Sequence, residues 1–174
     1  LGCSLPESLA VIPQLTPPPG RMQVFGDPKR QALVVVDYAH TPDALEKALT
    51  TLRQHCTGEL WCIFGCGGER DRSKRPLMGA IAERYADQII LTNDNPRTEP
   101  PLAIIHEIQA GLSARHQTLI ELDRRRAIAH SLAATKPGDL ILIAGKGHEN
   151  YQEIGQERLP YSDLLTVNLL MQDI

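Results

Sequence analysis

The sequence is poor in aromatic residues, with one Trp, four Tyr and two Phe among 174 positions, so its core must be aliphatic. It has no basic excess. Eighteen Lys and Arg stand against 21 Asp and Glu, a formal charge of −3. That balance excludes a chain that covers nucleic acid or an anionic membrane by bulk charge. No apolar run approaches the roughly 20 residues of a membrane span. Neither an initiator Met nor a basic-then-apolar signal segment opens the chain, which reads as an interior or C-terminal piece of something longer. There is no internal repeat. The four cysteines, Cys3, Cys56, Cys62 and Cys66, form no CxxC pair and have no zinc-finger spacing with His. They read as reduced cytosolic thiols, because a domain of this size with a Val/Ile/Leu core needs no disulfide staple. No metal-ligand set is expected.

What is present is ordinary for one folded domain, with 42% hydrophobic and 22% charged residues. Residues 1–30 are rich in Pro and Gly, including Pro17-Pro18-Pro19-Gly20, and read as an extended connector from a preceding domain. From Ala32 the pattern becomes regular. Ala32–Asp37, Leu60–Phe64, Gln88–Leu91, Thr118–Leu122 and Leu140–Ala144 are short apolar runs that predict buried strands. Helical spacing fills the gaps between them. Thr41-Pro42-Asp43 offers an N-cap, a first-turn Pro and a first-turn acid. Pro76 is expected to open the second helix, Leu102 to Leu112 mark the third, and Asp123 caps the fourth. Tyr151–Ile154 and Glu157–Leu159 predict a small hairpin, and Ser162 caps a last helix through about Met171. Alternating strands and helices predict an α/β fold: a Rossmann-like, three-layer α/β/α domain with a mostly parallel sheet of about five or six strands. Strand order does not follow from the sequence.

Ligands of open α/β sheets sit outside the carboxyl ends of the strands. Four segments that packing does not explain fall there. They are Asp37-Tyr-Ala-His-Thr-Pro-Asp43, Gly65-Cys-Gly-Gly-Glu-Arg-Asp-Arg72, Asp94-Asn-Pro-Arg97 and Ala144-Gly-Lys-Gly-His-Glu149. Each follows a strand directly, so all four belong on one rim. Alone, each has a bland reading as a turn or a solvated surface. Together they mark a site. Arg70, Arg72, Lys74 and Arg75 are interleaved with Gly67 and Gly68, a composition that suits an anion. In Asp94–Arg97 a Pro fixes the backbone between an amide and a planar guanidinium fork, which suits a carboxylate. Gly145-Lys146-Gly147 is no P-loop, because the upstream Gly and the following Ser or Thr are missing.

Cys66 carries a rival reading. Cys66 to Ser73 fits C-x5-R-S after a strand, the pattern of a cysteine phosphatase in which Cys66 attacks phosphorus and Arg72 binds its oxygens. Against it, Ser73-Lys74-Arg75-Pro76 starts the helix too late to aim its N-terminus at a phosphate.

In order and spacing, the motifs Asp37–Asp43, Phe64-Gly-Cys-Gly-Gly68, Asp94–Arg97 and Gly145-Lys-Gly-His-Glu149-Asn-Tyr-Gln152 resemble the C-terminal domain of the Mur ligases, in the branch that adds meso-diaminopimelate. The resemblance runs from about Gly20 to Asp163. Glu69 departs from it, since the family more often has Asp there. The resemblance implies a three-domain cytoplasmic enzyme, expected as a monomer, with no nucleic-acid or membrane partner. Its first domain holds UDP-MurNAc-L-Ala-D-Glu, its central domain binds ATP and Mg2+ through a P-loop, and its last brings the amino acid. Residues 1–30 would then be linker and remnant of the ATP-binding domain, and 31–174 the amino-acid-binding domain. Arg70, Asp94, Asn95, Pro96, Arg97, Gly145 and Glu149 would hold meso-diaminopimelate. Arg21 and Asp37, with His40 as a weaker candidate, would reach across to ATP. Within that picture Arg70 and Arg97 pair with the distal carboxylate, while Glu149 and carbonyls near Gly145 take the ammonium. The chain alone, lacking a P-loop, would be catalytically silent. A binding-only domain of the same family is the other expectation.

Overall fold

The computed structural model describes residues 4–11, 17–27, 32–113 and 118–172. Cys3, Pro13 and Pro28 lie outside them. In chain order the elements are α1 (Leu5–Val11), β1 (Gln23–Asp27), β2 (Ala32–Asp37), α2 (Pro42–Arg53), β3 (Leu60–Phe64), α3 (Lys74–Tyr85) and β4 (Gln88–Leu91). They continue with α4 (Pro101–Gln109), β5 (Thr118–Ile120), α5 (Arg124–Ala134), β6 (Leu140–Ala144), β7 (Tyr151–Ile154), β8 (Glu157–Pro160) and α6 (Asp163–Gln172). The main sheet has six strands in the order β1-β2-β6-β3-β4-β5. All its neighbours are parallel except β1, which runs antiparallel to β2. The expected hairpin forms as the separate pair β7-β8.

Side chains alternate across the strands, as a pleated backbone requires. Val35, Leu60, Cys62, Phe64, Leu140 and Leu142 face a core completed by Leu45 and Leu49 of α2, Met78 of α3 and Ile105 of α4. Val34, Val36, Trp61, Ile63, Ile141 and Ile143 face the opposite core, against Ile128 and Leu132 of α5 and Val167 of α6. Because β3 and β6 are covered on both faces, they read as unbroken apolar runs.

Caps behave largely as expected. The Thr41 side chain accepts from Ala44 N, with Pro42 in the first turn, and Asp123 accepts from Arg126 N. The second helix begins at Lys74 rather than Pro76, because Pro is tolerated inside a first turn. The stretch expected as connector carries α1 and β1. Its strand extends the sheet, with Gln23 opposite Val36 and Asp27 opposite Ala32. Gly20 explains how that segment docks: a Cβ there would lie 2.2 Å from the Gly147 carbonyl carbon, and its φ is +66°. Only glycine permits that approach.

Candidate functional site

The loops after β2, β3, β4 and β6 meet at one rim and enclose a cavity of about 480 Å³. Arg70, Asp94, Asn95, Arg97, Gly145 and Glu149 all stand on its wall, and so does His40. Pro96 does not. Its carbonyl instead packs on Gly68, where a Cβ would come within 1.9 Å of it, so the β3 and β4 loops touch backbone to backbone. Gly68 N donates to Asn95 O at 2.9 Å and fixes that contact.

The centre of the site is a residue that sequence reasoning passed over. Lys146 is fully buried, and its Nζ donates to Asn95 Oδ1 at 3.0 Å and Glu149 Oε2 at 2.9 Å. Asn95 Nδ2 closes the ring by donating to Glu149 Oε2 at 3.0 Å. Asn95 Oδ1 also accepts from Glu153 N at 3.0 Å, which ties the β4 loop to the hairpin. Gly145 and Gly147, at φ +111° and +51°, turn the chain so that the lysine between them points inward. The flanking glycines are the signal in the sequence that the residue between them is turned inward. The Tyr151 ring lies 5.5 Å from the same ammonium.

Asp94 sits beside this ring, 8% exposed. Burial pushes its carboxyl above the ordinary range, while the Lys146 ammonium and the Arg124 guanidinium pull it back. Gly145 makes room for it, since a Cβ there would stand 2.5 Å from Asp94 Oδ2. Asp94 and Glu149 therefore supply carboxyl oxygens around the cavity, with the buried Lys146 ammonium and Arg124 guanidinium acting on Asp94 from behind.

The basic run 70–75 divides by partner. Arg75 is fully buried and donates to Glu99, Glu107 and Gly67 O. Arg72 pairs with Glu107, and Lys74 Nζ donates to His40 O at 2.7 Å. Arg70 remains exposed on the cavity wall, with a long 3.5 Å contact to Glu69 O. Arg97 is already engaged: Nη1 donates to Gly68 O at 2.8 Å and Nη2 lies 2.8 Å from Glu153 Oε2. Its backbone is left-handed, φ +53°, and is pinned to the hairpin by Arg97 N to Glu153 O and Gly155 N to Arg97 O. Of the two arginines expected to grip a carboxylate, Arg70 is the open one, and Arg97 shares its fork with the protein.

Of the other three expected residues, His40 is on the cavity wall and Arg21 and Asp37 are not. Asp37 accepts from Met22 N and Ala39 N, both at 2.8 Å, and so fastens β1's lead-in to the β2 loop. Arg21 stacks 4.5 Å above the Tyr38 ring. His40 meets the same ring edge-on at 4.6 Å, with its Nδ1 2.8 Å from Tyr38 O.

The phosphatase reading fails on this geometry. Cys66 is 4% exposed, packed on Met78 Sδ at 3.7 Å, and burial pushes its thiol up to about 12. A thiol so desolvated is not a nucleophile at neutral pH. Arg72, which would have bound the phosphate, points to Glu107 instead.

A family model described as the Mur ligase, glutamate ligase domain matches residues 20–147. The chain belongs to the Mur ligase family. A UDP-N-acetylmuramoyl-L-alanyl-D-glutamate–2,6-diaminopimelate ligase of Coxiella burnetii is 57% identical over 164 residues, covering 93% of this chain and 33% of that protein. A solved structure of a ligase of that name superposes with a TM-score of 0.85 at 46% identity, covering 99% of this chain and 35% of the other. This Mur ligase domain thus spans about a third of the length of those relatives. The UDP-N-acetylmuramate–alanine ligase of Thermotoga maritima shares the fold at a TM-score of 0.66 and 16% identity, covering 99% of this chain and 34% of that one. Among the described residues, no helix is long and apolar enough to cross a membrane.

Proposed function

We propose that this Mur ligase domain, residues 31–174, binds meso-diaminopimelate for a cytoplasmic, monomeric ATP-dependent ligase that joins it to UDP-MurNAc-L-Ala-D-Glu. The residues before β1 lead from the ATP-binding domain, while β1 itself completes the edge of this domain's sheet. The observation that carries this reading is the ring of Lys146, Asn95 and Glu149 beside Asp94, with Arg70 open over the same cavity. Such a wall offers carboxylates to an ammonium and a guanidinium to a carboxylate. Diaminopimelate carries both groups at its distal end, whereas lysine carries the ammonium alone.

The domain's chemical part is to bind and orient. Arg70 takes the distal carboxylate, and Arg97, held in place by Glu153, presents the remaining face of its guanidinium. Asp94 and Glu149 take the ammonium. Charge-assisted hydrogen bonds of this kind are worth about 1.5–3 kcal/mol each. A site built for a polar group rejects an analogue lacking it by ~10⁴–10⁵. Holding the attacking amine against the activated D-glutamyl carboxyl contributes roughly 7–11 kcal/mol of barrier through proximity. ATP, with Mg2+, would transfer its γ-phosphoryl group to the D-glutamyl carboxylate with release of ADP, and the amine would then displace phosphate to form the amide. On this chain Arg21, Asp37 and His40 would be the residues that reach toward ATP, with Asp37 positioning the loop through its bonds to Met22 N and Ala39 N.

The test is ATP-dependent ligation in the longer protein to which this domain belongs, comparing the wild type with Arg97→Lys. Loss of most diaminopimelate turnover supports the assignment, because lysine cannot hold both Gly68 O and Glu153 while presenting a planar face. Unchanged kinetics refute it. Ligation absent from the restored wild type favours a binding-only domain.

A further inference from the structure

Beneath the site lies a buried ion pair that the reading above does not use. Arg124, the first residue of α5, is 1% exposed, and its Nε and Nη2 meet Asp163 Oδ1 and Oδ2 of α6, both at 2.8 Å. Burial works against the arginine's charge, but the Asp163 carboxylate outweighs it and holds the guanidinium above its ordinary value. Tyr161 Oη adds a hydrogen bond to Asp163 Oδ1 at 3.1 Å.

The same guanidinium has two further partners. Nη2 donates to Ala144 O at 2.8 Å, and Nη1 to Asn93 O at 3.3 Å. Ala144 immediately precedes Gly145-Lys146, and Asn93 immediately precedes Asp94-Asn95. These loops follow β6 and β4, which are not neighbours, since β3 lies between them. At about 4.8 Å per strand, their ends stand roughly 9–10 Å apart. No ladder hydrogen bond joins two strands across a third, and the Lys146–Asn95–Glu149 ring ties the two loops only through side chains, so their backbones need a tie of their own. Arg124 bridges the gap from the α5 side. Gln152 Nε2 reinforces one end by donating to Asp94 O at 2.8 Å.

We propose that Arg124, oriented by Asp163, is a positioning residue that sets the distance between the Asp94–Asn95 and Gly145–Lys146 loops and thereby supports binding of the diammonium dicarboxylate ligand. This rests on the functional reading above. Arginine is required because one planar fork must satisfy a carboxylate edge and two carbonyls in different directions. A lysine keeps the charge for Asp163 but loses the span.

Calorimetric titration of this chain with meso-diaminopimelate compares the wild type with Arg124→Lys, Tyr161→Phe and Leu132→Ala. Leu132→Ala is a core deletion in the same helix that controls for lost stability. Amide hydrogen exchange at Gly145 and the NMR signal of the Asn95 side-chain amide are read in parallel without ligand. Arg124→Lys is expected to weaken binding by about tenfold or more, with faster Gly145 exchange and a shifted Asn95 signal. Leu132→Ala should lower the melting temperature yet leave the affinity within about twofold. Tyr161→Phe should move affinity in the same direction by a smaller factor, and it decides if the lysine variant does not fold. Equal effects of Leu132→Ala and Arg124→Lys, or no effect of either pair-directed variant, overturn the proposal. If the wild type binds no diaminopimelate, the functional reading fails on its own. The Gly145 and Asn95 signals then judge the brace.

Discussion

Replacing Lys146 by methionine removes one ammonium from a site where nothing else can replace it. The side chain is fully buried, and its two hydrogen bonds go to Asn95 Oδ1 and Glu149 Oε2. Each hydrogen bond to a charged group contributes about 1.5–3 kcal/mol, which bounds the loss at roughly 3–6 kcal/mol. Breaking a buried pair by removing one partner gives about 3–5 kcal/mol by a separate route. Glu149 is 17% exposed, so water can partly rehydrate it, and the lower end applies: about 3 kcal/mol. Domain stabilities of about 5–15 kcal/mol make that a large fraction. Urea unfolding followed by the emission of Trp61, the single tryptophan, measures it directly. The loss must also depend on pH. Without Lys146, the raised Asp94 carboxyl rises further, since the ammonium is the largest influence holding it down. A carboxyl whose folded value lies above its unfolded one destabilises only where it must ionise. That penalty is absent below the ordinary 3.8 and complete above the raised folded value. The gap between variant and wild type should therefore widen as pH rises from below 4 toward neutrality. A loss under about 1 kcal/mol at pH 7, or one that does not shrink in acid, would refute the central role given to this lysine.

Three further outcomes follow from the same geometry. Gly145→Ala places a Cβ 2.5 Å from Asp94 Oδ2 at φ +111°, so it should lose about 1–3 kcal/mol in denaturant unfolding and displace Asp94, seen as a changed Asp94 titration by NMR. Glu99 is held down to about 2 by Arg75 and by Glu69 N, and Glu107 is lowered by Arg72 and Arg75, so both stabilise above the ordinary 4.5 and release that stability as pH falls toward 2. An acid-unfolding series should show that loss in the wild type and much less of it in Arg75→Met. Arg70→Gln removes an exposed guanidinium, so its melting temperature should match the wild type while calorimetry shows diaminopimelate binding weakened about tenfold or more.

Much of the fold was legible because buried parallel strands write themselves as apolar β-branched runs. Ala32–Asp37 and Leu140–Ala144 appear within the bounds read from their composition. Their adjacency was not legible, because a helix-mediated crossover leaves the choice of neighbour open. β1 was missed for a local reason. Gln23–Asp27 carries one Gly, leaves Val24 exposed and is flanked by prolines, so it has neither the run nor the period of a buried strand. The convergence of four loops was visible, since each followed a strand. Which charges would stay open was not. Arg70 and Arg75 look alike in the sequence, and what separates them is Glu99 and Glu107, which lie 24 and 32 residues beyond Arg75. Cys66 shows the same limit: its motif suggested a reactive thiol, whereas packing on Met78 makes it part of the core.

The most direct measurement is calorimetric titration of this chain with meso-diaminopimelate and, separately, with L-lysine. Saturable binding of meso-diaminopimelate, with lysine weaker by at least about a hundredfold, is the result expected from a cavity whose open arginine awaits a distal carboxylate. Equal affinity for the two amino acids would contradict that assignment.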